Sequence, residues 1–234
     1  MEPEYFERLP GDLQSMVAKI EAESGIEIKV TLDESRAGRY FDEPDPLACV
    51  VTEAKAQILI PSRDSFPEGA VLHELLHIQR FLVEGVPQLV VCEHHWHPDL
   101  EKVFTQVDNN IEHLVIVPKE LEQRPDRRDR WIAVMTRVLA QLRSPEILPA
   151  DRTFLGIYSW VFIERVLNDK TLLAQYAATL APLNLMERAL DFSRDIAFVL
   201  PSKEAAVHAL VEQFHLAEEC LCLHYFYPKK GTCQ

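Results

Sequence analysis

Several things are scarce in this chain, and each scarcity excludes something. No stretch reaches eighteen apolar residues, so no segment is expected to span a membrane. Residues 1–10 carry three Glu and no long apolar run, which is not the pattern of a signal peptide. Positive charge is short: 24 Lys and Arg stand against 37 Asp and Glu, a net charge of −13. Nucleic acid is therefore not expected as a main partner, because phosphate binding wants a basic face. The one basic stretch, residues 124–130, is interrupted by Asp126 and Asp129 and reads as a solvated helix start. The five cysteines, at 49, 92, 220, 222 and 233, are odd in number and scattered. They make a poor disulfide framework and suit a reducing compartment. Cys220-x-Cys222 falls in a helical pattern and lacks a second cysteine pair, which argues against a zinc knuckle. No internal repeat or low-complexity tract is present. These absences lead us to expect a soluble cytoplasmic protein; one exported without a cleavable signal would look the same.

The rest of the composition is ordinary, at 47% hydrophobic and 26% charged, enough for a sizeable core in one domain or two small ones. Residues 12–23 have helical periodicity. Residues 26–32 alternate apolar and polar, as a half-buried strand should. A loop is expected at 36–46, marked by Gly38, Pro44 and Pro46. Residues 47–52 and 55–60 read as two further strands joined by a short turn, an antiparallel hairpin. A helix follows at 69–83, and another at 100–117, closed by Pro118. Beyond Arg127 the pattern is almost wholly helical: 129–142, 153–167, 171–181, 185–198 and 202–225. Glycine is scarce there, with only two residues after Gly85. The expected class is α+β: a small antiparallel sheet packed on one central helix, then a mostly helical second half. The expected division is 1–123 and 127–234.

The central helix carries His73-Glu74-Leu75-Leu76-His77. An α-helix turns about 100° per residue, so residues four apart lie on one face and two imidazoles at that spacing can share a metal ion. Hydrolytic zinc takes three protein ligands and keeps one position open. Glu74, adjacent to His73, is placed to act as general base on a zinc-bound water. The two intervening leucines leave the other side of the helix free to enter a core. Ser65 is the expected N-cap, with Pro67 and Glu68 in the first turn and Gly85 and Pro87 as stops.

Two histidines require a third ligand. The spacing that would supply a third histidine from the same segment is missing, since Arg80 and Val83 occupy the relevant positions. Polar residues interrupt the apolar helix 100–117 at Asp108, Asn109, Glu112 and His113, all close to one face. Glu112 is the leading candidate for third ligand, with His113 and Asp108 as alternatives by ligand type. Whichever of Asp108, Asn109 and His113 does not bind is suited to orient a ligand histidine through its second ring nitrogen. A rival source is the cluster Glu93, His94, His95 and His97, flanked by Trp96 and Pro98, which reads better as a loop over a cleft. His208, His215 and His224 stand at spacings of seven and nine and cannot share one ion on a single helix. Tyr158 and Tyr225 are available proton donors that no spacing singles out.

A small sheet, an H-E-x-x-H helix and a later helix bearing Glu together resemble the zincin metallopeptidases, in particular the glutamate-ligand branch. The stretch from Ile26 to Pro118 also resembles the ImmA/IrrE regulatory peptidases, with Asn109 and Pro118 matching their outline. In that register Thr105 occupies the position of a ligand Glu. The resemblance implies a zinc-dependent peptidase with a specific protein or peptide substrate. It also implies that the strand before the motif helix lies at the sheet edge and pairs with extended substrate. That places Gln57, Ile58 and Leu59 on the substrate. The alternative is a zincin-shaped domain that no longer cuts and serves as a binding or sensing module.

Overall fold

Three short strands and the helix that follows them set the position of the motif. The computed structural model describes residues 1–36 and 47–226; the expected loop residues Gly38, Pro44 and Pro46 lie outside them. The chain divides into two compact units, Met1–Gln88 with the segment from His224, and Leu89–Leu223. Near residues 123–127, where the sequence suggested a boundary, Arg124 N–H bonds to Glu120 O at 2.7 Å and the Arg127 side chain to the Glu120 carboxylate.

In the first unit, α1 (Pro3–Phe6) is a single turn, and α2 (Gly11–Ser24) buries Leu13, Val17 and Ile20 along one stripe. Gly25 ends α2 at φ 71°, a left-handed conformation that glycine adopts without strain. Strands β1 (Ile28–Leu32), β2 (Ala48–Thr52) and β3 (Lys55–Ile60) form a sheet in the order β1-β3-β2. β2 and β3 make the expected antiparallel hairpin, but β1 runs parallel to β3, so the sheet is mixed. β3 is central because it is the most apolar of the three, with Ala56, Ile58 and Ile60 fully buried. The other side of β1 is blunted by carboxylates: the N–H groups of Ile28 and Val30 donate to Glu21 and Glu2 at 2.9 and 3.0 Å.

Helix α3 (Glu68–Leu82) packs on α2, β2 and β3. Val71, Leu72, Leu75 and Ile78 are fully buried. Each such side chain contributes about 1.5–3 kcal/mol, which is what makes α3 a fixed platform. Its N-cap position is Pro67, without a side-chain cap, so Ser65 does not serve as the cap. Gly85, at φ 67°, follows the helix where the pattern placed its stop.

Strand β4 (Gln88–Val91), which begins at the last residue before the second unit, pairs with β5 (Leu221–His224). Cys92 and Cys222 form a disulfide across 130 residues. The scattered spacing hid this pair, because the two residues meet only through the β4–β5 pairing. Between them run α4 (Pro98–Gln123), α5 (Arg127–Leu142), α6 (Pro149–Phe162), α7 (Lys170–Leu180), α8 (Met186–Val199) and α9 (Lys203–Phe214). A π-helical turn, Ile163–Leu167, extends α6.

Two expected boundaries move. α4 passes through Pro118 instead of ending there. An interior proline costs about 3 kcal/mol, and here buried packing of Ile116, Val117 and Glu120 on either side outweighs it. The expected helix 202–225 stops at His215, which takes φ 53°, and the chain turns back into β5. Among the described residues no helix is long and apolar enough to cross a membrane.

Candidate metal centre

Helix α3 places His73 and His77 one turn apart, with ring centroids 5.0 Å from each other and planes at 79°. His77 is buried and its ring lies 6.2 Å from that of Phe81 in a stacked arrangement. Phe81 in turn meets Phe226 at 5.9 Å, so aromatic packing backs His77. Glu74 is also buried on α3. A buried carboxylate next in sequence to a half-exposed histidine is unusual for a solvated helix face.

His113 sits on α4, its ring edge-on to Trp131 at 5.1 Å and 68°. His73, His77 and His113 each offer a ligand atom, and these atoms lie within 4.8 Å of one another, close enough for the three to hold one metal ion. Among the described residues this is the one such group of three or more potential ligands.

The structure does not bring Glu112 into that group. Its side chain is fully buried, and Oε1 accepts from Lys203 Nζ at 2.7 Å. Asp108 shares the same ammonium at 2.8 Å and also accepts the N–H of Leu89 at 2.8 Å. Burial pushes the Asp108 carboxyl above the ordinary carboxylate range, and the nearby Lys203 charge offsets part of that rise. Helical phase separates the two side chains. Adjacent residues on a helix point about 100° apart, so Glu112 and His113 serve different neighbours. Lys203 lies 91 residues further on, and no sequence spacing discloses it. The one sequence signal favouring His113 is that it matches the ligand type of the other two. Asn109 is half-buried, and Thr105 is exposed.

The other candidates fall elsewhere. Glu93–His95 is a short exposed 3-10 turn, and the His97 ring caps α4 by accepting from Asp99 N–H at 3.2 Å. Trp96 is 58% exposed. His208 stands beside Glu212 on an exposed face of α9. His215 ends that helix, and His224 packs edge-on to Phe226 at 4.9 Å. Tyr158 is enclosed near Phe154 and Phe162, and its hydroxyl has no hydrogen-bond partner among the described residues. Burial raises its pKa, which makes it a poor acid near neutral pH.

Gln57, Ile58 and Leu59 do not lie on an edge. β3 is flanked by β1 and β2, which take up both rows of its backbone groups. Ile58 is fully buried and Gln57 donates to the Thr31 hydroxyl at 2.9 Å. Substrate addition to this strand is thereby excluded.

Comparison with protein-family models, with curated proteins and with solved structures returned no match.

Proposed function

We propose that this chain is a zinc-dependent peptidase in which His73, His77 and His113 hold the metal and Glu74 is the general base. The observation that carries this reading is the convergence of three histidine ligand atoms within 4.8 Å. The donor set fits the ion. Three neutral nitrogens suit zinc and leave a fourth position for substrate or water. With no carboxylate among the three, the charge of the ion is less neutralised than it would be with Glu112 as ligand. When bound, such an ion supplies Lewis acidity toward a carbonyl oxygen and eases the deprotonation of water near neutral pH.

The remaining steps belong to the side chains. Glu74 takes a proton from water at its carboxylate as the water oxygen bonds to the carbonyl carbon of the peptide. The same carboxyl returns that proton to the amide nitrogen as the C–N bond breaks. The products are a free carboxyl and a free amine. The stacking of His77 on Phe81 and the packing of His113 on Trp131 support the reading, since ligand rings held in place lose less freedom on binding. The likeness to zincins supports it too, although a third histidine departs from their glutamate-ligand branch. The net charge of −13 favours a protein or peptide substrate over nucleic acid.

The test is elemental analysis of the purified protein together with turnover of a mixed peptide library. Zinc near one equivalent and cleavage that disappears on chelation are expected. A protein that carries no zinc and takes up none on dialysis ends the proposal.

A further inference from the structure

We infer that Trp131 is a positioning residue for His113, and that the buried carboxylate of Glu120 fixes Trp131; the inference rests on the metal-site reading above. His113 and Glu120 are seven residues apart on α4, two turns, so both leave the helix along one stripe. Trp131 on α5 meets both. Its Nε1–H donates to Glu120 Oε2 at 3.2 Å, and its ring meets that of His113 at 5.1 Å.

Glu120 is 0% exposed. Its other oxygen accepts from Arg127 Nε at 2.7 Å. Each oxygen is thus engaged by a different side chain of α5, in surroundings where losing a partner is costly. Arg127 and Trp131 are one turn apart, so a single carboxylate joins that turn of α5 to α4. Phe162 bounds the indole as well, at 5.3 Å between centroids. The indole therefore has little freedom to tilt.

That constraint passes to His113. The outer torsion of a histidine is broad and roughly two-fold, so a ring left to itself samples orientations that present different nitrogens. A fixed indole standing edge-on restricts that choice. The site then offers one donor atom in one direction before any ion arrives. The design is of the kind in which groups behind a ligand set its orientation, here through ring packing anchored by a hydrogen bond.

The test is chelator competition with Zn²⁺ and Co²⁺ on the full chain, comparing wild type with Trp131→Phe, Glu120→Gln and Met135→Leu. Trp131→Phe keeps a ring and loses the N–H. Glu120→Gln weakens the tie to Arg127. Met135→Leu perturbs the same helix, at a buried position away from the Glu120 contacts. Both ions should bind Trp131→Phe and Glu120→Gln about tenfold more weakly, with an altered visible spectrum of the Co²⁺ form. Met135→Leu should lower the thermal midpoint and leave affinity and spectrum alone. Wild-type affinity and spectrum in Trp131→Phe would overturn the positioning role while the metal site stands. So would an equal loss of affinity in Met135→Leu, which would mark general softening of α5. If the wild type binds neither ion, the metal-site reading falls and this inference with it. Should Glu120→Gln not fold, Trp131→Phe against Met135→Leu decides the matter.

Discussion

Glu112 Oε1 stands 2.7 Å from Lys203 Nζ, and both side chains are shut away from solvent. The contact joins α4 to α9, and the neighbouring His113 offers a ligand atom within 4.8 Å of those of His73 and His77. Removing one partner of a buried ion pair strands the other charge. Lys203→Met should therefore lower stability by about 3–5 kcal/mol, read as a shift of the denaturant midpoint. Glu112→Gln should destabilise less, because Asp108 still faces the ammonium, and should keep its metal. His113→Ala should lose the metal with little change in the stability of the metal-free protein. Metal lost from Glu112→Gln and kept in His113→Ala would reverse the two assignments.

Glu74→Gln separates catalysis from binding. It should retain zinc by elemental analysis and lose peptide cleavage by about 10²–10⁴-fold, the usual contribution of a general base. Unchanged cleavage would remove Glu74 from the mechanism. Zinc binding without cleavage in the wild type itself would favour the binding-module alternative.

Asp108 gives a pH dependence of known sign. Burial holds its carboxyl above the ordinary 3.8, so the folded state binds that proton more tightly than the unfolded state. Its contribution to stability is then fully present below 3.8 and is lost as pH rises through the raised folded value. The thermal midpoint of wild type minus that of Asp108→Asn should fall with rising pH across that window and level off above it. A difference that rises with pH would show that Lys203 outweighs burial.

The Cys92–Cys222 bond closes a loop across 130 residues. Reducing it, or replacing Cys92 with Ser, should cost about 2–5 kcal/mol of stability. Thiol titration of the unfolded, unreduced protein should find three reactive groups, five cysteines less the bonded two. Five reactive groups would show that the pair remains reduced.

The pattern of apolar residues by itself determined the α2 stripe, the β2–β3 hairpin and the buried face of α3, because these depend on periodicities of 3.6 and 2 that act over a few residues. It also determined that His73 and His77 share a face and that Glu74 stands beside them. What it left undecided depends on partners distant in the chain. The parallel pairing of β1 with β3, the continuation of α4 past Pro118 and the pairing of β4 with β5 each arise from packing that outweighs local signals. The third histidine belongs with these. Glu112 and His113 are neighbours of similar ligating ability, and the approach of Lys203 to one and Trp131 to the other distinguishes them. Local chemistry named the motif, and only the tertiary fold, through contacts between residues distant in the chain, brings a ligand atom of His113 within 4.8 Å of those of His73 and His77.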